Sequence, residues 1–133
     1  IGKAVTLREG TDIAIFAAGI MVHEAMQAAR TLEDQGVSAA VIDMFTIKPL
    51  DEEAVETWAK KCGAVLAAEN HNKYGGLWSA VSEVLAKKCP VPADFVAVED
   101  EFGEVGPQGY LQERFGLTVA HIVEQAKAVL ARK

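Results

Sequence analysis

Cysteine and long apolar stretches are both scarce in this sequence of 133 residues. The two cysteines, Cys62 and Cys89, form no C-x-x-C pair and lie next to predicted helix ends. Two reduced thiols in a cytosolic protein are therefore favoured over a disulfide or a metal site. No apolar stretch approaches the roughly 20 residues of a membrane span, and nothing resembles a signal peptide. These absences predict a cytoplasmic protein with no membrane partner.

Positive charge is also in short supply. The 13 Lys and Arg residues stand against 19 Asp and Glu residues, which gives a formal net charge of −6 and a pI near 5.0. The basic residues are scattered, and Lys60-Lys61 and Lys87-Lys88 are only dipeptides at predicted helix ends. This charge balance argues against a nucleic acid or an anionic membrane as the main partner.

The usual motifs of nucleotide and hydrolase sites are missing as well. The sequence has no G-x-G-x-x-G, no G-x-x-x-x-G-K-[ST], no G-x-S-x-G and no His/Cys cluster with zinc spacing. A dinucleotide site, a P-loop, a nucleophile elbow and a structural zinc site therefore lack the residues that they need. Gly19, in the first strand-to-helix loop, is interpreted as a structural residue, and His23 and His121 as surface residues.

The sequence does contain a regular alternation of apolar runs and amphipathic segments. Four apolar runs cover residues 12–18, 38–45, 64–69 and 94–100. The second and third runs are nearly continuous rather than alternating, which is typical of parallel strands covered on both faces. The runs start roughly 30 residues apart, the length of a strand and a crossover helix. A leading strand, 4–9, is expected to be antiparallel to its neighbour. We predict one domain, residues 1–133, with a three-layer α/β/α fold.

The intervening segments have helical spacing. In the segment 20–36, one side of the predicted helix is apolar: Val22, Ala25, Met26, Ala29 and Leu32. Glu24 is assigned to the polar side, and Gly36 to the position after the helix. The next helix is predicted to begin after Asp51, as its N-cap, and to end at Gly63.

The last part of the chain is predicted to contain three helices. One helix spans 77–88, after a Gly-Gly pair and before Pro90. After the fourth strand, a loop leads into a short helix. A separate final helix is then predicted, with Thr118 as its N-cap and Leu117 packing on Ile122.

Four loops are expected at the carboxyl ends of the strands, where ligands of open α/β sheets bind. They cover residues 19–21, 46–49, 69–76 and 100–109. In the third loop, Glu69 and His71 could form an acid–imidazole pair that moves protons. The alternative is structural: Asn70 forms the turn, Gly75-Gly76 supply positive φ angles, and Glu69 bonds to a neighbouring loop or subunit. The structural alternative is favoured because no nucleophile lies nearby.

The order of the motifs resembles the C-terminal domain of transketolases. The matching pieces are "REG-x-D", "AAG", "TIKPLD", "EN-x-x-x-x-GG", "FG-x-x-G", a Tyr-Leu pair and "FGLT". They are most like the C-terminal part of split, two-subunit transketolases. The Gly-Gly loop and "PLD" are shared with 1-deoxyxylulose-5-phosphate synthase and with the E1 β subunit of 2-oxoacid dehydrogenases. One departure stands out, because Trp78 replaces a small residue that the family has after the Gly-Gly pair. We expect its indole to cover the loop or to pack on a partner.

The resemblance implies a sheet order of 1-3-2-4-5 with strand 1 antiparallel. It also implies a parent enzyme that uses thiamine diphosphate and Mg²⁺ to transfer a two-carbon ketol unit between sugar phosphates, as in the pentose phosphate pathway. The family's metal–diphosphate motif contains Gly-Asp-Gly, which is absent here. We therefore expect this domain to be inactive alone, with no catalytic, cofactor-binding or metal-binding residue of its own. Its expected partners are the N-terminal diphosphate- and pyrimidine-binding domains, or a separate subunit, in a homodimer or heterotetramer.

Three alternatives remain open from the sequence. The first is an E1 β C-terminal domain, which would dock on a dihydrolipoyl acyltransferase. The second is a stand-alone small-molecule binding module, with Gly19, Thr46, Glu69 and His71 at the sheet edge. The third is a dimer-forming surface whose buried anchors are aromatic: Trp78, Phe102 and Tyr110.

Overall fold

Strands and helices alternate along the chain in the order that the sequence predicts. The computed structural model describes residues 3–45, 50–70, 76–98 and 108–133, except for the side chains of Asn70, Val98 and residues 108–117. The elements of these ranges are β1 Val5–Arg8, β2 Ile13–Ala17, α1 Met21–Asp34, β3 Ala39–Asp43, α2 Glu52–Cys62, β4 Val65–Asn70, α3 Leu77–Lys88, β5 Ala93–Val98 and α4 Gln108–Leu130.

The strands form one five-stranded sheet in the order β1-β3-β2-β4-β5. Strands β2 to β5 are parallel, whereas β1 runs antiparallel to β3. The sheet order and the direction of the first strand are therefore confirmed. β1 pairs with β3 and not with β2, the strand that follows it in the chain. The position between β1 and β2 in the sheet is therefore filled later, by β3.

Two apolar clusters lie on opposite faces of the sheet. On one face, α1 and α4 pack on the strands, with Leu32 and Ile122 fully buried. On the other face, α2 and α3 pack on the strands, with Val55 and Val81 fully buried. The central strands contribute side chains to both clusters, which is why their sequences are continuously apolar. Among the described helices, none has the length and apolar character needed to cross a membrane.

Helix α2 begins and ends where the sequence predicts. Asp51 Oδ1 accepts a hydrogen bond from Ala54 N at 3.0 Å, and Gly63 has a φ of 74° at the C-cap. The second oxygen, Asp51 Oδ2, accepts a hydrogen bond from Ala4 N at 2.8 Å. One carboxylate therefore holds the first turn of α2 and the residue that precedes β1.

Helix α1 ends as predicted, at a glycine with a left-handed backbone. Gly36 has a φ of 82°. The N–H of Gly36 donates to Glu33 O at 3.0 Å, and the N–H of Val37 donates to Leu32 O at 2.9 Å. These two bonds are the Schellman arrangement, which glycine favours because it has no Cβ.

The assignment of Glu24 to the polar side of α1 was wrong. The buried stripe of α1 is Met21, Glu24, Ala25, Ala28, Ala29 and Leu32. Relative to the prediction, the stripe is rotated towards Met21 and Ala28, while Val22 and Met26 are only partly buried. The rotation follows from packing against α4, a long-range contact that helical spacing alone does not reveal.

The prediction of a break before Thr118 was also wrong. A single helix of 23 residues, α4, runs from Gln108 to Leu130, so Thr118 lies within the helix and is not its N-cap. Thr118 is 6 % exposed, and the residues that follow it on the same face, Ile122 and Ala126, are fully buried. A glycine inside a helix costs about 1 kcal/mol relative to alanine. Burial of the α4 face therefore outweighs the local breaking tendency of Gly116.

Candidate functional site

Glu69, near the carboxyl end of β4, closes the start of α3. Its side chain is 9 % exposed. Glu69 Oε2 accepts a hydrogen bond from Leu77 N at 2.5 Å, and Glu69 Oε1 accepts one from Trp78 N at 3.0 Å. Both N–H groups lie in the first turn of α3, where a helix leaves them without an internal partner. A carboxylate at this position is also favoured by the helix dipole. The acid is therefore a helix cap that reaches forward from the preceding strand.

Gly76 is needed because the Glu69 carboxylate lies against it. A Cβ at position 76 would collide with Glu69 Oε2 and lie 2.8 Å from Glu69 Cδ. Gly76 has a φ of −131° and a ψ of −150°, an extended conformation. The expected positive φ was therefore wrong at Gly76, while Gly75 lies outside the described residues. The requirement for glycine comes from the close approach of the carboxylate, not from the backbone angle.

This geometry bears on the acid–imidazole hypothesis for the third loop. A general base has to reach the proton that it removes, and the Glu69 carboxylate is instead buried against the start of α3. Both oxygens of Glu69 already accept hydrogen bonds from the α3 backbone. His71 lies outside the described residues. Glu69 bonds to the helix that follows in its own chain, rather than to the neighbouring loop or subunit that the structural alternative expected.

The other candidate residues are only partly described. Gly19 has a φ of 60°, which favours glycine, and a Cβ there would meet no described atom within 4 Å. Thr46 and Phe102 lie outside the described residues. Asn70 and Tyr110 are described only as backbone, in β4 and α4 respectively. His23 and His121 are exposed, as predicted.

Trp78 packs within its own chain. Its ring is stacked on Phe95 of β5, with ring centroids 5.3 Å apart and an angle of 25° between the planes. Phe95 is 42 % exposed, so the pair forms an aromatic surface beside the edge strand. Neither alternative for Trp78, covering the loop or packing on a partner, anticipated a stack on β5.

Glu24 is a buried acid at the same sheet edge that the sequence did not reveal. It is 6 % exposed and lies in the first turn of α1. Its Oε2 atom is buried and has no hydrogen-bond partner among the described residues. An unpaired buried oxygen of this kind costs roughly 1–3 kcal/mol, so a ligand, water or partner group is expected to satisfy it. The only feature of the sequence that could have indicated its burial is its position one helical turn before Ala28, which is also buried.

The N-termini of α1, α2 and α3 lie at this edge, and in each of them at least one of the first N–H groups already has a hydrogen-bond acceptor. The α2 terminus is capped by Asp51, and the α3 terminus by Glu69. At α1, the first two N–H groups donate to Ala18 O and Gly19 O, each at 3.2 Å. A diphosphate group would meet a carboxylate at two of these termini, so these residues do not fit it. Within the described ranges, no group of three or more His, Cys, Asp or Glu residues could hold a metal ion.

These observations define an open α/β/α domain in which the strand-end acid Glu69 caps the helix that follows. A solved structure described as "Split gene transketolase, inactive beta4 tetramer" shares the fold with a TM-score of 0.85 and 44 % sequence identity. The similarity covers 98 % of this chain and 43 % of that one. The family model described as "Transketolase, C-terminal domain" matches residues 2–122. The chain belongs to this family.

Curated relatives come from the same enzyme group. The chain is 53 % identical over 133 residues to a 6-deoxy-6-sulfo-D-fructose transketolase subunit of Clostridium sp. (strain MSTE9), covering all of this chain and 41 % of the relative. It is 38 % identical over 126 residues to an apulose-4-phosphate transketolase subunit of Phocaeicola vulgatus, covering 95 % of this chain and 40 % of the relative. A 1-deoxy-D-xylulose-5-phosphate synthase of Geobacter sulfurreducens is 40 % identical over 135 residues, which is 21 % of its length. The chain thus spans about two fifths of the transketolase subunits that it matches.

Proposed function

We propose that this chain is the assembly domain of a thiamine diphosphate-dependent transketolase that transfers a two-carbon ketol unit between sugar phosphates. The observation that carries the proposal is the use of both Glu69 oxygens by the α3 backbone, which makes the acid at the strand end a structural group. Thiamine diphosphate and Mg²⁺ are then held by N-terminal diphosphate- and pyrimidine-binding domains or by a separate subunit. The engaged helix N-termini support this division.

The same proposal includes the assembly and its location. We propose that residues 1–133 form one domain within a homodimer or heterotetramer in the cytoplasm, in a reaction of the pentose phosphate type. Two of the similar proteins are named as subunits of transketolases, and the similar solved structure is described as a tetramer. The two free cysteines are compatible with a reducing compartment.

The structural role of Glu69 is tested by Glu69→Gln in the full-length enzyme. An amide has only one acceptor oxygen, so the variant leaves one α3 N–H group without its partner. We expect a lower melting temperature, with kcat per folded molecule within about twofold of the wild type. A loss of roughly 100-fold or more in kcat at an unchanged melting temperature would indicate general acid–base catalysis by Glu69 instead.

The division of labour is tested by calorimetric titration of the 133-residue chain with thiamine diphosphate and Mg²⁺. We expect no binding heat from the chain alone, and ketol transfer only after the rest of the parent enzyme is added. Tight binding by the chain alone would contradict the proposal.

A second candidate function, a regulatory ligand site at the strand ends, is favoured by one observation. Glu24 Oε2, which is buried and has no partner among the described residues, lies in the first turn of α1. Just before this helix, a Cβ at Gly19 would meet no described atom within 4 Å, so there is free space at this position. Thr46, Glu69 and His71 were the other residues predicted for such a module. A thermal-shift screen of sugar phosphates and amino acids on the full-length protein and its Glu24→Gln variant tests this role. A stabilising ligand that loses its effect in the variant supports the site, and an equal shift in both proteins removes it.

A further inference from the structure

A second surface, beside the edge strand β5, has the shape of a groove. It lies between α3 and the edge strand β5, and its volume is about 250 Å³. Most of its lining is apolar, with one hydroxyl and one guanidinium group; the main residues are Trp78, Ser82, Leu85, Pro90, Val91 and Arg132. Among the described residues that line it, Arg132 is the only charged one.

The aromatic end of the groove is fixed in place before any partner binds. The backbone N–H of Trp78 donates to Glu69 Oε1 at 3.0 Å, which fixes the main chain at this residue, and the indole ring is held by its stack on Phe95. An indole that is already held loses little side-chain entropy when a partner packs on it. Tryptophan and arginine are also the residues that most often dominate binding energy at protein interfaces.

The other end of the groove combines a charge with a blocked strand edge. Arg132 Nη1 donates to Ala93 O at 3.0 Å, and Asp94 Oδ1 accepts a hydrogen bond from Phe95 N at 2.8 Å. The register with β4 directs the Ala93 carbonyl and the Phe95 N–H outwards from the sheet. Both groups are points at which an added strand would pair, so a partner that lies across this end of β5 has to bind through side chains. Arg132 still has further N–H donors, since a guanidinium carries five.

The size and position of the groove indicate its occupant. Its volume is below the roughly 300–1,000 Å³ of small-molecule sites, and suits one or two side chains. Apart from Trp78 and Arg132, its lining comes from the later part of α3, the amino end of β5 and the segment between them, whereas α/β domains bind small ligands at the carboxyl ends of the strands. We propose that the groove binds an extended segment of another polypeptide, with an aliphatic side chain against Trp78 and a carboxylate on Arg132. This interaction is independent of the proposed transketolase function.

The proposal is tested with blocked synthetic peptides in which zero, one or two glycines separate a leucine from an aspartate. Binding to the 133-residue chain is followed by the indole N–H signals in NMR spectra. Trp58, on α2, serves as an internal control, because it is nearly buried beneath Lys61 and does not line the groove. We expect at least one spacing to shift the Trp78 signal without shifting that of Trp58. If no spacing shifts Trp78 at millimolar concentration, the proposal is overturned.

Charge and shape are tested separately with variants that retain cooperative thermal unfolding. We expect Arg132→Gln to weaken binding at least tenfold and Arg132→Lys to weaken it less. Ala86→Asp, on the groove wall, should abolish binding. Lys133→Gln removes the same charge from the next residue, which bonds to Asp12 O instead, and should leave binding unchanged.

Three results would contradict specific parts of the proposal. Equal binding of peptides with asparagine in place of aspartate would overturn the carboxylate contact. Equal loss in Lys133→Gln and Arg132→Gln would show nonspecific charge attraction. A Trp78 shift that depends on protein concentration without peptide, and disappears in Ala86→Asp, would assign the groove to a second copy of this chain.

Discussion

The starts of α3 and α1 lie at the same edge of the sheet, and each has a buried glutamate nearby. At α3, Glu69 reaches the helix from the preceding strand, and both of its oxygens accept backbone hydrogen bonds. At α1, no described side chain caps the helix at Ile20, and Glu24 lies inside the helix with Oε2 unpaired among the described residues. The difference is one of position: Glu69 precedes the free N–H groups of α3 and accepts hydrogen bonds from them, whereas Glu24 lies inside the first turn of α1 and has an oxygen without a described partner. Glu69, which sequence analysis singled out, has a structural role. Glu24, which it did not single out, has the oxygen without a described partner.

The largest expected effect is the loss of the α3 cap. Glu69→Met keeps an unbranched side chain of similar length but cannot accept the hydrogen bonds of Leu77 N and Trp78 N. Bonds to a charged partner contribute about 1.5–3 kcal/mol each, so we expect the free energy of unfolding to fall by about 3 kcal/mol. Denaturant titration monitored by circular dichroism measures the change. A loss below about 1 kcal/mol would show that water replaces the cap.

The second prediction concerns the contact between Gly76 and Glu69. In Gly76→Ala, the new methyl group takes the space of Oε2, and the flexible carboxylate has to leave its cap. We expect a loss of about 2 kcal/mol in the wild type, near the upper cost of a lost N-cap. In the Glu69→Met background, the same change should cost less than half as much, since no cap remains to be displaced. Additive losses in this double-mutant cycle would mean that Gly76 is needed for another reason.

The third prediction has the opposite sign. Glu24→Met removes an oxygen that has no partner among the described residues, so we expect the free energy of unfolding to stay equal or to rise by about 1 kcal/mol. The matched comparison is Glu69→Met, which makes the same chemical change at the start of α3. Thermal denaturation of both variants under the same conditions shows whether each substitution raises or lowers the stability. A large destabilisation by Glu24→Met would reveal a partner for Glu24.

The smallest expected effect concerns a third acid at this edge, Asp43 at the end of β3. Burial raises the pKa of Asp43 above the ordinary 3.8. The folded state therefore keeps the proton to a higher pH than the unfolded state, and stability falls as the pH rises through the raised pKa. Asp43→Asn should give a slightly higher melting temperature at pH 7 than the wild type. The gain should disappear below pH 3.8, where the acid is protonated in both states. An equal gain at both pH values would exclude ionisation as the cause.

The parts of the fold that sequence reasoning predicted are those with local causes. The start of α2 follows from Asp51 three residues before the N–H that it caps, and its end follows from Gly63. The end of α1 follows from Gly36 in the same way. In each case, the interacting groups lie within one helical turn of the chain. The burial of the central strands on both faces of the sheet was also predictable, because their sequences are continuously apolar.

The parts that failed depend on contacts between distant residues. Glu69 and Leu77 are eight positions apart, and no periodicity relates them, so the helix cap and the reason for Gly76 were not predicted. The burial of Glu24 depends on the packing of α1 against α4. The continuity of α4 through Gly116 depends on the same interface, because the small energetic cost of a glycine inside a helix is outweighed by the burial of the α4 face.

The double role of Asp51 has a consequence for local opening of the structure. Because Asp51 Oδ2 accepts from Ala4 N and Asp51 Oδ1 from Ala54 N, detachment of the chain just before β1 removes one of the two bonds that fix the carboxylate at the start of α2. Fraying of the edge strand and fraying of the first turn of α2 are thus expected to be one cooperative event. Amide hydrogen exchange at Ala4 and Ala54 should show similar protection, although 50 residues separate them. A single carboxylate thus links two segments that are distant in the chain, and their opening is expected to be coupled.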